Sequence, residues 1–432
     1  MNDGTAPRQH AAEAYIRVFS QNRTLENALE TLPGYKDMDP RDRAFARYIL
    51  ATSFRRLGQT HSVLSSFLNK PLEETAPYAR ALLITGATQI LWMDIPPHAV
   101  VSSAVKLAEK RPETRKLKGM INAVLRNIDR EGRQKAKLLP PQDNLPEWLR
   151  ASWRKNFGPA AMNRMVMAGL ESPPLDLTVK DPSTREEWAE KLGAKLLPSG
   201  TLRLDKIGDV TSLSGYDEGA WWAQDAAAAI PATLLKLDPG SSVIDMCAAP
   251  GGKTLQLAAA GYDVQSVDSS EPRLKRVREN LKRVGLESQI HAGDGRKWKP
   301  ASQVDGVLLD APCSATGTYR RHPESNWIKA AEDPRKFGKI QRELARAVAK
   351  MIKPGGQLVV CTCSLQVEEG EWLSKDIEKS IKTLELDPIR PDELPGLENA
   401  LTKRGEVRLT PALWLDAGSM DGFFIARFRK SG

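Results

Sequence analysis

The chain has 432 residues, 41% of them hydrophobic and 27% charged, which excludes a disordered or fibrous chain and predicts two or three globular domains. Lysine and arginine outnumber aspartate and glutamate by 63 to 54, a net charge of +9 that suits a polyanionic partner such as nucleic acid without requiring one. Residues 1–10 are polar and no apolar run approaches the length of a membrane span, so neither a secretory signal nor a membrane span is expected, and the expected location is cytoplasmic.

From about residue 8 to residue 131 the periodicity predicts helices throughout. Ala14, Tyr15, Val18 and Phe19 form one apolar stripe at helical spacing. Asp39 and Pro40 make a good N-cap and first-turn pair for a helix carrying Ala44, Phe45, Tyr48 and Ile49. Residues 81–91 read as a strongly apolar helix, and residues 98–110 as another. Residues 115–130 carry Met120, Ile121, Val124, Leu125 and Ile128 on one side, with Arg115, Lys116, Lys118, Arg126, Arg130 and Arg133 clustered around them. A solvated face and an RNA phosphate track account equally well for that cluster.

Residues 132–144, with Pro140 and Pro141, read as a linker. Residues 145–163 return to helix. Residues 176–180 are a strand candidate, Ser183 with Glu186 and Glu187 opens a helix by a capping-box pattern, and residues 202–204 are a short strand. Together, residues 145–220 look like a small α+β unit.

From Trp221 strands alternate with helices. Residues 224–235 are Ala-rich and helical, and residues 243–245, 263–267, 289–291, 306–309 and 357–361 are strand candidates. A helix over 271–284 has Leu274, Val277 and Leu281 at helical spacing. Such alternation predicts a parallel sheet with right-handed crossovers, whose ligands bind outside the carboxyl ends of the strands. The polar and reactive residues fall at those ends: Asp245, Asp268, Asp294, Asp310 with Cys313, and Cys363.

The run Val243-Ile-Asp-Met-Cys-Ala-Ala-Pro-Gly-Gly-Lys-Thr254 reads as a strand, a small-residue loop and a helix start. A phosphate-binding loop needs a glycine five residues before its second glycine, and Cys247 stands there. A plain tight turn and a nucleoside-cofactor loop remain. In the second reading Gly251 and Gly252 let a ligand approach the backbone. Asp268, about twenty residues on, suits the hydroxyls of a ribose, or caps the next helix. Asp294 suits an adenine amino group, or simply makes a turn. In this order behind a glycine loop, the two acids favour an adenosine-containing cofactor.

The four cysteines are Cys247, Cys313, Cys361 and Cys363. None makes a C-x-x-C pair and no histidine stands at zinc-finger spacing, so no metal is expected. If the fourth and fifth strands are neighbours, about 5 Å apart, Cys313 and Cys363 face one cavity beside Asp310. A lone buried cysteine is usually a small hydrophobe, but two at adjacent strand ends beside an acid are harder to explain as packing. Cys361 and Cys363 fall on the same side of a strand, so chemistry alone leaves the nucleophile open between them.

Cys-Ala-Ala-Pro-Gly-Gly-Lys-Thr254, Asp-Ala-Pro-Cys-Ser-Ala-Thr-Gly317 and Thr-Cys-Ser364 resemble the signature motifs of the Nol1/Nop2/Sun family of RNA cytosine-5 methyltransferases. Tyr319-Arg-Arg-His-Pro323 and Asp421-Gly-Phe-Phe-Ile-Ala-Arg427 fit as well. The helical part, through Ile121-Asn-Ala-Val-Leu-Arg126, resembles the NusB-like RNA-binding domain of the family's bacterial small-subunit rRNA member. The resemblance covers nearly the whole chain and is weakest over 133–215. One departure is Cys361, where the family more often has a small polar residue or alanine.

The resemblance implies a multidomain chain: an all-α NusB-like domain over 1–132, a linker and small α+β segment over 133–220, and a Rossmann-like α/β methyltransferase domain over 221–432. It implies S-adenosylmethionine as cofactor, with Cys247, Ala248, Ala249, Pro250, Gly251, Gly252 and Lys253 lining its methionine and ribose, Asp268 on the ribose and Asp294 on the adenine. Asp310 would lie between cofactor and base, with Lys253 reaching the base as well. Cys363 is implied as the nucleophile toward carbon 6 of cytosine, and Cys313 as the thiol that helps release the product. Arg320 and Arg321 are expected to contact phosphates. The implied partner is RNA, in particular 16S ribosomal RNA, acted on by a monomer without membrane or metal. The alternatives are the same chemistry on tRNA or 23S rRNA, a non-catalytic RNA-binding assembly factor, and DNA cytosine methylation, in which Cys313 would be the nucleophile.

Overall fold

In the computed structural model of the protein, residues 4–205 and 208–432 are described. The chain divides into two compact units, Met1–Glu171 with Tyr319–Ala330, and Ser172–Thr318 with Ala331–Gly432.

The first unit is helical. Helix Pro40–Arg55 starts as its sequence predicts, with Asp39 accepting from the Arg41 amide at 2.8 Å and proline in the first turn. Helix Pro77–Trp92 is buried on nearly every side, so its apolar character all round, rather than a stripe, marks the centre of the bundle. Helices Thr5–Gln21, Pro97–Lys110 and Lys118–Asn127 bury one face each against it. The stretch expected to be a linker is structured. A π-helical segment, Ile128–Gly132, leads into helix Arg133–Leu138, and Asn144 is buried with its side chain paired to Gln59. The next helix runs Glu147–Gly169 and is kinked at Gly158, whose φ of 79° precedes Pro159. Residues 319–330 complete this unit: Arg55 donates to the Arg320 carbonyl at 2.8 Å, and Trp327 to the Phe54 carbonyl at 3.0 Å.

The second unit holds two sheets. The smaller is antiparallel, in the order β2-β3-β1-β4, from β1 (Leu175–Val179), β2 (Lys195–Leu196), β3 (Leu202–Leu204) and β4 (Trp221–Ala223). Asp181, not Ser183, opens the helical turn after β1, by accepting from the Ser183 amide at 2.9 Å. The strands β5 (Ser242–Met246), β6 (Asp263–Asp268), β7 (Gln289–Ala292), β8 (Val304–Asp310) and β9 (Ile352–Thr362) are parallel, as the alternation predicted. With β10 (Leu384–Leu386) and β12 (Phe423–Lys430) they are ordered β10-β12-β9-β8-β5-β6-β7. β11 (Val407–Leu409) pairs with β12, which runs antiparallel to β9.

Alternate residues of the central strands serve opposite faces. Val243, Leu308, Val359 and Cys361 enter one core, while Ile244, Val307, Leu309, Leu358 and Val360 enter the other. Successive strands leave β5 in opposite directions, β6 on one side and β8 on the other. The crevice at that switch point, outside the carboxyl ends, is where such sheets bind ligands. The expected boundaries at 132 and 220 divide the chain differently from the compact units, because residues 133–171 pack with the helices and Trp221–Ala223 pairs with β1. Among the described residues, no helix is long and apolar enough to cross a membrane.

Candidate active site

The loop after β5 is fastened at both ends. The Cys247 and Ala248 amides both donate to the Val267 carbonyl at the end of β6, at 2.8 and 3.1 Å. Cys247 takes a positive φ of 67° and Gly251 one of 106°, and the Ala249–Pro250 peptide is cis. Helix Gly252–Ala259 follows at once. A Cβ on Gly251 would meet Val277 at 3.3 Å, and one on Gly252 would meet Gln224 at 3.3 Å. The two glycines therefore serve the turn and tight packing against the protein's own side chains.

Beneath the loop, Thr254 donates to buried Asp245 at 2.6 Å, and the other Asp245 oxygen has no partner. Burial pushes the Asp245 carboxyl up to about 7. Asp268, at the end of β6, accepts from the Ser270 amide at 2.9 Å and the Ala249 amide at 3.2 Å. It thus braces the loop and the turn before helix Glu271–Val284, whose N-cap is Ser270 and not Asp268. The Cys247 thiol is pushed up by burial and by the charges of Asp310, Asp268 and Asp245. Three acids thus act together on the loop, with Lys253 paired to Asp310 and Arg273 3.5 Å from Asp268, and a polar, mixed-charge rim of this kind fits a cofactor that carries a sulfonium, an ammonium and a ribose. Asp294 follows β7, half-buried and gripped by Arg296 with Nη2 at 2.7 Å, which holds its carboxyl down at about 2.

The strand ends on the other side of β5 hold the thiols. β8 and β9 are neighbours, and their register pairs Asp310 with Cys361. Lys253 donates to Asp310 Oδ2 at 2.8 Å, and the Cys361 thiol donates to Asp310 Oδ1 at 3.4 Å. The Lys253 ammonium also stands 5.2 Å from the centre of the Phe423 ring, a cation–π contact. Burial pulls the Lys253 pKa down, but Asp310 outweighs it and holds the ammonium charged. Cys361 is 0% exposed; burial first, then Asp310, push its thiol far above the usual range. Just past β9, half-buried Cys363 lies with its sulfur 3.4 Å from that of Cys313. The contact with Cys363, and burial, push the Cys313 thiol well up, so Cys313 keeps its proton in the pair.

The structure therefore brings together Cys247 to Lys253, Asp268, Asp310, Cys313 and Cys363 at the carboxyl ends of β5, β6, β8 and β9. Asp294 stands after β7, committed to Arg296. Arg320 does not present itself to solvent for a phosphate: it is 1% exposed, which corrects its assignment as a surface contact. Arg115, Lys116, Lys118, Arg126, Arg130 and Arg133 are all exposed, Lys118 with Glu109 at 2.6 Å. Two contributors were missed in the sequence. Phe423 was visible only as part of a motif. The bond from Cys361 to Asp310 arises from register between strands more than forty residues apart, which no local pattern reports.

Residues 232–429 match the family model described as 16S rRNA methyltransferase RsmB/F, and residues 5–130 match the NusB family. The protein named ribosomal RNA small subunit methyltransferase B from Enterobacter sp. (strain 638) is 33% identical over 441 residues, 98% of each chain. The protein of the same name from Vibrio cholerae serotype O1 is 35% identical over 445 residues, covering 98% of this chain and 97% of its own. Among solved structures, that of NSun6 from Pyrococcus horikoshii with SFG has a TM-score of 0.56 at 22% identity, covering 66% of this chain and 98% of its own. The crystal structure of PH0851 has a TM-score of 0.79 at 22% identity, covering 98% and 99%. These two structures share the fold.

Proposed function

The chain belongs to the RsmB/F family of 16S rRNA methyltransferases, which use S-adenosylmethionine, and from that premise we propose that it methylates carbon 5 of a cytosine in 16S ribosomal RNA through a covalent adduct on Cys363. The observation that supports this most is the pair of thiols 3.4 Å apart at neighbouring strand ends, beside the Asp310–Lys253 pair.

Carbon 5 of cytosine is a weak nucleophile. A thiolate that adds to carbon 6 pushes the ring electrons onto carbon 5 and makes it one. Cys363 is the reader of that requirement, since its sulfur is half-buried while Cys361 is sealed in the core and bonded to Asp310. Cys313 keeps its own proton, so it does not compete with Cys363 for the base. Asp310, fixed by Lys253 and Cys361, hydrogen-bonds the base and steadies the charge that moves through the ring. When bound, the cofactor would supply an electrophilic methyl group, and Cys247 to Lys253 with Asp268 and Asp294 would hold it. Once carbon 5 carries the methyl group, its proton leaves to a base, and as the bond between carbon 6 and sulfur breaks the Cys313 thiol gives its proton to the departing Cys363 sulfur. Cys313 then regains a proton from solvent, and without Cys313 the adduct is slow to resolve.

The test is a reaction of the full-length protein with labelled S-adenosylmethionine and unmethylated 16S rRNA, read by bisulfite sequencing. The proposal expects one protected cytosine that appears with the native chain and is missing with Cys363→Ala. Full activity of Cys363→Ala would overturn it.

A further inference from the structure

Glu369 lies in the turn Val367–Glu369 after β9 and is 0% exposed. Its carboxylate is engaged on both oxygens. Oε1 accepts from the Ser314 amide at 2.8 Å and from Gln341 at 3.2 Å, while Oε2 accepts from the Ser364 hydroxyl at 2.5 Å and from the Ser314 hydroxyl. All these partners are neutral. Burial pushes the carboxyl up in spite of them. A charge buried without a counter-ion costs several kcal/mol, and simple packing does not require it.

The two serines are not arbitrary partners. Ser314 follows Cys313 and Ser364 follows Cys363, so one side chain holds both cysteine-bearing turns. Around it, the Ser314 and Ser364 hydroxyls stand 3.2 Å apart, the Gln366 amide donates to Ser364 at 3.0 Å, and the Gly317 amide donates to the Cys363 carbonyl at 3.0 Å. The Glu369 carbonyl accepts from the Thr362 hydroxyl at 2.8 Å, which ties the turn back to the end of β9. An amide in place of the carboxylate presents one acceptor oxygen instead of two, so only an acid can accept from both turns at once without reorienting a hydroxyl.

We propose that Glu369 is a positioning residue for the methyl-transfer reaction, which fixes the Cys313 and Cys363 turns against one another and sets the distance between their thiols. This rests on the Cys363 mechanism above. After the contact with Cys363 and burial, Glu369 is a further cause that raises the Cys313 thiol.

Two readouts on the full-length enzyme decide it. The first is the pH profile of alkylation by iodoacetamide at Cys313 and Cys363, located by peptide mass spectrometry with no RNA present. The second is steady-state methylation of 16S rRNA. In Glu369→Gln the Cys313 profile moves to lower pH, and kcat falls by about 10- to 100-fold, the scale of a misplaced reacting group. KM for RNA and for S-adenosylmethionine stays within about twofold. Glu369→Ala is expected to lose more than Glu369→Gln, and Glu369→Gln carries the test where the alanine variant fails to fold. Unchanged profile, unchanged kcat, or a kcat loss without a profile shift each overturns the proposal. Should Cys363→Ala prove active, the adduct mechanism fails, while the alkylation profile still reports whether Glu369 governs the thiol pair.

Discussion

Asp245 offers a quantitative handle on the cofactor loop. Its carboxyl is fully buried, with one hydrogen bond to Thr254 and an oxygen without a partner, and it titrates at about 7 in the fold against 3.8 for the ordinary group. The folded state therefore binds a proton that the unfolded chain has already released. For an acid whose pKa is raised by folding, the sign is fixed: stability is highest below about pH 4 and falls as pH rises, until it levels off above about pH 7. At roughly 1.4 kcal/mol for each of about three pH units, the cost at pH 8 is on the order of 4 kcal/mol. Asp245→Asn keeps an oxygen for the Thr254 hydroxyl and cannot ionise. It should lie within about 1 kcal/mol of the native protein near pH 4.5 and exceed it by about 2–4 kcal/mol at pH 8, in urea unfolding of the cofactor-free protein. The same change removes one acid from the rim around Cys247, so affinity for S-adenosylmethionine should fall, a trade of function for stability. A variant no more stable than the native chain at pH 8, or an equal difference at both pH values, refutes the argument.

Arg203 and Asp176 form a buried bidentate pair, at 2.6 and 2.7 Å, that anchors β1 to β3 and lets Asp176 accept from the Ala226 amide; Arg203→Met strands the acid and should cost about 3–5 kcal/mol in chemical unfolding, and a loss below about 1 kcal/mol would contradict this. His322 stands between Glu26 and Glu324, at 3.7 and 3.8 Å, with Arg321 nearby and Arg47 on Glu26. Burial pulls the His322 ring down but the two acids prevail and raise it, while His322 and Arg47 overcome burial to hold Glu26 down at about 2. The histidine contribution is thus complete below about pH 6.5 and is lost above it, and that of Glu26 is complete above about pH 4.5 and is lost below it. The melting-temperature gap between native protein and His322→Gln should be widest near pH 5.5 and narrow by pH 8; a pH-independent gap would count against it. If the exposed basic helix tracks phosphates, Arg126→Gln, Arg130→Gln and Arg133→Gln combined should weaken RNA binding and flatten its salt dependence by about two to three charges, while S-adenosylmethionine binding is unchanged. An unaltered salt slope would remove that face from the RNA path.

The parallel strands β5, β8 and β9 were legible because Val243-Ile244, Val307-Leu-Leu309 and Leu358-Val-Val360 are short apolar runs followed by a polar or small residue, and burial on both faces forces that pattern. The small sheet was harder to read. Trp221–Ala223 runs directly toward an Ala-rich helix, and a three-residue strand carries too little alternation to stand out. The segment around Pro140 and Pro141 looks like a linker by composition, yet the buried Asn144–Gln59 pair, 85 positions apart, holds it in place. Ser183 looked like a cap because the Asx turn of Asp181 gives the same local signal. At the site, residue types singled out the candidate thiols and acids, and strand order put Cys313 beside Cys363. What separated Cys361 from Cys363 was burial in a core shared with β12, a long-range property invisible in Thr-Cys-Ser364. Arg320 misled for the opposite reason: a double arginine in a loop reads as exposed, whereas the backbone of Arg320 is fixed by Arg55 and its side chain is enclosed.

Every step attributed to the site depends on which sulfur bonds to the base. The direct measurement is a reaction of the Cys313→Ala protein with 16S rRNA and S-adenosylmethionine, followed by nuclease and protease digestion and mass spectrometry of the nucleotide-bearing peptide. The account predicts a conjugate of methylated cytosine attached at Cys363; attachment at Cys361 or Cys247, or turnover with no conjugate at any time point, would contradict it.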